Sequence, residues 1–149
     1  MQKSESDYNM IDWWKKVVFR NYANFTGRAR RSEYWYFVLG QVCLIIPFYV
    51  LMLSGMAQEN DDLFTIALSV YALFFLATLL PALAVTVRRL HDLDKSGAYY
   101  FLIFVPFGSI ILLVWMCTIG KPFRNKYGED PKNPEEPLFD FERPANYTD

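Results

Sequence analysis

The sequence predicts an all-α protein: a multi-pass transmembrane helical bundle with an N-terminal amphipathic interfacial helix and a disordered C-terminal tail. Three observations carry this expectation. The 149 residues include 15 Lys and Arg and 16 Asp and Glu, yet positions 34–58, 63–87 and 96–120 hold no charge at all. Each of these stretches is 25 residues long, more than the roughly 20 apolar residues a helix needs to cross a bilayer. Aromatic pairs next to cations mark their ends, as at Tyr34-Trp35 and Tyr99-Tyr100, the residue types that collect at membrane–water interfaces. The mean hydropathy of +0.08 averages over two unlike halves and conceals the pattern.

Uninterrupted apolar runs exclude a soluble enzyme with one core and a membrane β-barrel, whose strands would alternate apolar and polar residues. A DNA-binding domain and a disulfide scaffold are excluded as well. Cys43 and Cys117 both lie inside apolar stretches, where a thiol acts as a small hydrophobe, so neither a disulfide nor a metal site is expected. The first apolar run is too long for a cleavable signal, and no cleavage is expected. Three regions follow: 1–33, a polar leader with an interfacial helix and a basic cluster; 34–120, the membrane domain; and 121–149, a basic and then acidic tail.

From Asn9 to Phe25, Met10, Ile11, Trp14, Val17, Val18, Tyr22 and Phe25 recur at spacings of three and four, with Lys15, Lys16 and Arg20 mostly opposite. That periodicity is an amphipathic helix. Trp13, Trp14 and the cations suit it to the membrane surface; the alternative is an amphipathic helix packed on the protein's own loops. The cluster Arg28-Ala29-Arg30-Arg31 then leads into the first span. Gln41 and Pro47 within that span require a facing helix that satisfies the amide and the carbonyl released by proline. The link Glu59-Asn60-Asp61-Asp62 is short and acidic and is expected outside. The second span runs on into Arg88-Arg89-Leu90-His91-Asp92, and Ser96-Gly97 ends the helix.

The third apolar stretch carries Pro106 and Gly108 at its centre, which fits either a kinked span or a re-entrant turn. Lys and Arg near span ends are retained on the cytoplasmic side. Six lie before the first span, three between the second and third, and four at the start of the tail. Three spans leave four of these outside, whereas re-entry gathers all thirteen inside. Against re-entry stands the cost of bare backbone groups at mid-depth. The N-terminus is cytoplasmic in both topologies. Glu129 to Asp149 holds seven acids and four prolines, a composition expected to be disordered.

Antiparallel spans bring the start of the first and the end of the second to one membrane face. Arg28, Arg30, Arg31, Glu33, Arg88, Arg89, His91 and Asp92 therefore form a candidate site, joined by Arg124 and Asn125 if the tail is on that face. Guanidinium forks suit phosphate and carboxylate, so the expected ligands are anionic lipid headgroups or an acidic membrane partner. The alternative is that these charges fix topology and pair internally, as Arg30 with Glu33 and Arg88 with Asp92. No catalytic spacing is present, and a single histidine offers no metal site, so no enzyme and no cofactor is expected. A homo-oligomeric transporter or channel subunit is the other functional class, although the apolar stretches contain no ionisable residue to mark an ion path. Nucleic acid is not an expected partner.

The segments Asn21–Trp35, Leu80–Asp92, Pro106 with Gly108, and Asn125–Pro131 together resemble the family of small bacterial inner-membrane proteins of unknown function typified by YhaH. The resemblance covers about residues 13–131 and rests chiefly on Gly27-Arg28-Ala29-Arg30-Arg31 and Arg88-Arg89-Leu90-His91-Asp92. It implies a cytoplasmic-membrane protein with several spans and supplies no reaction, substrate or cofactor. The sequence departs from the family pattern at Asp94, where glycine is usual, at Tyr99 and Tyr100, where tryptophan is usual, and in the link Gly120–Arg124, usually glycine-rich.

Overall fold

The computed structural model describes residues 7–132; the acidic tail expected to be disordered falls mostly outside the described residues. All regular elements among them are helical. Helix α1, Met10–Lys15, opens with a capping box: the Asn9 side chain accepts from the Asp12 N–H and the Asp12 side chain from the Asn9 N–H. It continues as one wide turn over Lys16–Arg20, in which the Asn21 N–H reaches back five residues to the Lys16 carbonyl. The helix therefore stops five residues short of the predicted Phe25.

Helix α2, Arg31–Ala57, and helix α3, Asp61–Asp92, form an antiparallel pair. At 27 and 32 residues they are about 40 and 48 Å long, enough to cross hydrocarbon about 30 Å thick. Their most apolar windows are only 11% buried, which is the reverse of a core helix in a soluble protein. Leu53, Leu73 and Leu76 are each more than 60% exposed. Apolar surface on this scale needs lipid as its solvent. Phe48 of α2 packs its ring against Tyr71 and Phe74 of α3 near the middle of the pair.

The third apolar stretch is a hairpin. One leg is a 3-10 helix, Gly97–Phe104, and the other is α4, Gly108–Cys117. Pro106 and Phe107, the latter at φ +63, reverse the chain between them. A Cβ on Gly108 would overlap the Leu102 carbonyl of the opposite leg, so the reversal requires glycine here. The chain that leaves Asp92 comes back to it: the Lys121 N–H donates to the Asp92 carbonyl at 3.0 Å. The stretch is thus folded back on itself and not drawn out as one kinked helix, because its two ends meet.

Helix α1 lies against α2. Trp14 sits on Gly40, and its indole N–H donates to Gln41 Oε1 at 3.3 Å, which gives the span's amide its partner. Trp13 and Val17 are buried, Val17 in a cluster with Ala29, Phe37 and Val85. One face of this segment is thus held by α2 and α3, while Ile11 and Phe19 on it stay exposed. Pro81 removes an N–H from α3 and leaves the Ala77 carbonyl without its helical partner. The Tyr22 hydroxyl donates to that carbonyl at 2.7 Å.

Candidate interfacial charge site

The end of α3 sets the site. After Asp92 the helix closes with the Lys95 N–H on the Leu90 carbonyl and the Asp94 N–H on the His91 carbonyl, Asp94 taking φ +59. This closure places a residue in the left-handed region, where glycine carries no Cβ penalty. The departure from a family glycine at 94 therefore falls on the one position of this turn that favours it. The last helical turn of α3, Arg88 to Asp92, is buried against the segment Gly27–Glu33 and the returning chain.

Two carboxylates organise the cations. Glu33, 1% exposed, takes Arg88 Nη1 at 2.6 Å on Oε1 and Lys16 Nζ at 2.9 Å on Oε2. Asp92, 4% exposed, takes Arg28 at 2.9–3.0 Å on Oδ1 and Arg89 on Oδ2. The expected internal pairs are thus exchanged. Glu33 is met by Arg88 from the neighbouring helix in place of Arg30, and Asp92 by Arg28 and Arg89 in place of Arg88. Arg88–Glu33, Lys16–Glu33 and Arg28–Asp92 join different chain segments, while Arg89–Asp92 is an i,i+3 pair within α3.

Other guanidinium donors serve backbone carbonyls of the returning chain. Arg28 donates to Phe123 at 2.7 Å and to Lys121, and Arg89 to Thr118. Arg31 reaches Cys117 at 3.2 Å, and the Trp35 indole reaches Met116 at 3.3 Å. Side chains of α2 and α3 thereby cap the carbonyl-rich, partly negative end of α4. Arg30 donates to the Pro131 carbonyl at 2.6 Å. Gly120 lies so close to Asp92 that a Cβ would overlap the carboxylate.

His91 is held in place on two sides. Its ring stacks on Tyr127, with centroids 3.8 Å apart and planes 3° from parallel, and Nδ1 lies 3.1 Å from the Gly27 carbonyl. A carbonyl only accepts, so Nδ1 carries the proton. Asn125 closes its own turn with Gly128 and donates through Nδ2 to the His91 carbonyl at 2.8 Å. Nine of the ten predicted site residues are thus drawn together at one end of the bundle. Arg124 is the exception: its side chain is exposed and forms no ion pair among the described residues.

Among the described residues, Lys16, Arg28, Arg88 and Arg89 face the carboxylates of Glu33 and Asp92, with Asp130 also buried near Asp92, and Nε and Nη2 of Arg88 are buried without a hydrogen-bond partner. A small cleft of about 120 Å³ beside these groups is lined by Arg30, Asp92, Asp130 and Lys132 among others. Lys16, Tyr22 and Gly120 take part in this architecture although sequence reasoning assigned them no such role. The signal for Tyr22 was Pro81 in a span, which demands a donor from elsewhere.

Residues 22–129 match the family model described as protein of unknown function DUF805. The chain is 48% identical over 121 residues to the inner membrane protein YhaI of Escherichia coli K12, covering 80% of this chain and 95% of the relative. It is 37% identical over 125 residues to the inner membrane protein YhaH of the same organism, covering 82% and 98%. An uncharacterised protein of that organism, YiiR, is 32% identical over 104 residues, covering 66% and 65%. No solved structure matches. The basic motif at the start of α2, the Arg-Arg-Leu-His-Asp end of α3 and the Asn125–Gly128 turn that closes on it all fall within the matched region, and the chain belongs to the DUF805 family of membrane proteins.

Proposed function

We propose that the protein is a non-enzymatic component of the bacterial inner membrane that gathers anionic lipid headgroups around the charged end of its bundle, on the cytoplasmic face. The observation that carries this reading is the cation excess at that end. Among the described residues, the paired cations Lys16, Arg28, Arg88 and Arg89 outnumber their partners Glu33 and Asp92, and Arg31, Arg124 and Lys126 stand exposed around them, with Lys121 3.9 Å from Asp94. The link at the opposite end, Gln58–Asp62, contains only acids among its charges. Cations retained on the inner side of a span give the orientation, with the N-terminus cytoplasmic. Each exposed cation near an anionic leaflet is worth about 1 kcal/mol of attraction. The non-enzymatic reading is supported by the single histidine, whose ring is occupied by Tyr127 and whose Nδ1 is occupied by Gly27.

The test is lipid retention. Protein extracted in native-lipid particles is expected to carry phosphatidylglycerol and cardiolipin above their share of the membrane. The double variant Arg124→Gln, Lys126→Gln is expected to lose that enrichment while its unfolding midpoint stays near wild type, both side chains being exposed and outside the buried ion pairs. Enrichment unchanged in the double variant sinks the reading.

A further inference from the structure

We infer that the hairpin 97–117 is a wedge in one leaflet only, its outward face covered by acyl chains of the leaflet beside the charged end, with both flanks of the hairpin on the same side of the membrane. This goes beyond headgroup binding and does not depend on it. The return of the Lys121 N–H to the Asp92 carbonyl at 3.0 Å fixes the two flanks together. The eight-residue 3-10 leg and the ten-residue α4 are about 16 and 15 Å long, half of a hydrocarbon layer about 30 Å thick.

The surface chemistry is that of a lipid-buried tip with an interfacial mouth. Phe104 and Phe107 at the reversal are 79% and 78% exposed, with Val105 between them, and Phe101, Ile110 and Val114 continue the same exposed apolar face. From Gly97 to Cys117 there is no charge. At the mouth, Lys95 Nζ lies 4.2 Å from the Trp115 ring centroid, and Tyr99 packs edge-on to the same ring, the cation-and-aromatic set that marks headgroup depth. The other side of the hairpin is docked, with Leu112 and Met116 packed on Leu90 and flanked by Trp35 and Leu102.

Backbone hydrogen bonds reduce the main cost of re-entry. At the reversal, the Val105 N–H donates to Leu102, Gly108 to Val105 and Ile110 to Phe107, at 2.9–3.0 Å, and Pro106 has no N–H to satisfy. The orphan carbonyls at the end of α4 are capped by Trp35, Arg31 and Arg89. These bonds pair three donors of the reversal and the last carbonyls of α4 within the protein, which lowers the cost of non-helical backbone in a membrane.

The experiment uses the full chain with Cys43→Ser and Cys117→Ser, reconstituted in phosphatidylethanolamine–phosphatidylglycerol vesicles. Single probes are placed by Ser96→Cys, Lys121→Cys, Phe104→Cys and Phe107→Cys, the last two as independent reports of the tip. The wedge predicts that the first two react with an impermeant maleimide from the same side and the tip positions from neither. Nitroxides at the tip are expected to collide with oxygen far more than with an aqueous nickel chelate. Labelling of 96 and 121 from opposite sides means a true span and overturns the inference. Tip labelling by the aqueous reagent means a hairpin outside the membrane, and spin–spin broadening between copies with little oxygen contact means a second copy covers the face; either result overturns it too.

Discussion

The two ends of the helical pair solve the same problem by different means. At the turn end, α2 passes to α3 through Gln58–Asn60 alone. The Asn60 N–H returns to Gly55, Glu59 sits at φ +49, and the Asn60 side chain caps the next helix through the Leu63 N–H. The hydrogen bonds of this turn are all local. The charged end closes its helix in the same way, with Asp94 in the left-handed position, but then buries two carboxylates and their cations among segments up to 100 residues apart. Local closure ends a helix, whereas buried ion pairs across segments decide which parts of the chain sit beside one another. Removing a partner from a buried pair leaves an uncompensated charge, and that is what makes the arrangement selective.

Breaking that contrast should have its largest effect at Asp92. Asp92→Ala is expected to cost about 3–5 kcal/mol, since it strands the guanidinium groups of Arg28 and Arg89, whereas Asp62→Ala at the exposed turn end should stay within about 0.5 kcal/mol. Denaturant titration in mild detergent measures both, and equal costs would erase the distinction between the ends. A smaller effect tests a junction between the amphipathic segment and α3. Tyr22→Phe leaves the Ala77 carbonyl bare and should cost about 1–3 kcal/mol. In a double-mutant cycle the two changes should couple, because Pro81→Ala supplies the missing N–H; additive costs would show that the tyrosine does not serve this carbonyl. The smallest effect has the opposite sign. Glu59→Gly relieves a left-handed residue and should raise stability by about 0.5–1 kcal/mol in thermal unfolding, sharpening the view that the turn end is governed by local backbone preference.

Much of this architecture is written in local sequence. The uncharged runs 34–58 and 63–87 predict α2 and α3 with ends within a few residues of those observed, because apolar length alone determines what can cross a bilayer. The same argument identified Gln41 as needing a facing helix, and Trp14 supplies the contact. The meeting of Arg28, Glu33, Arg88, Arg89 and Asp92 follows from antiparallel spans and was legible as a cluster. Its pairing was not, since spacing along a helix favours Arg88 with Asp92 while the fold offers Arg88 the carboxylate of Glu33 at 2.6 Å.

The sequence by itself determined the compartment chemistry of this protein, a membrane solvent for half its residues and a basic cluster at one end, because charge and apolar length are properties of individual positions. Only the tertiary structure decided the fate of the third apolar stretch. Pro106 and Gly108 permit both a kink and a reversal, and local propensity does not choose between them. The choice is made by contacts distant in sequence: Arg89, Arg31 and Trp35 cap the end of α4, Arg28 holds the carbonyls that follow, and Asp92 receives the returning backbone at Lys121. Those donors and carbonyls are far apart in sequence and become partners only in the packed arrangement of the helices that carry them.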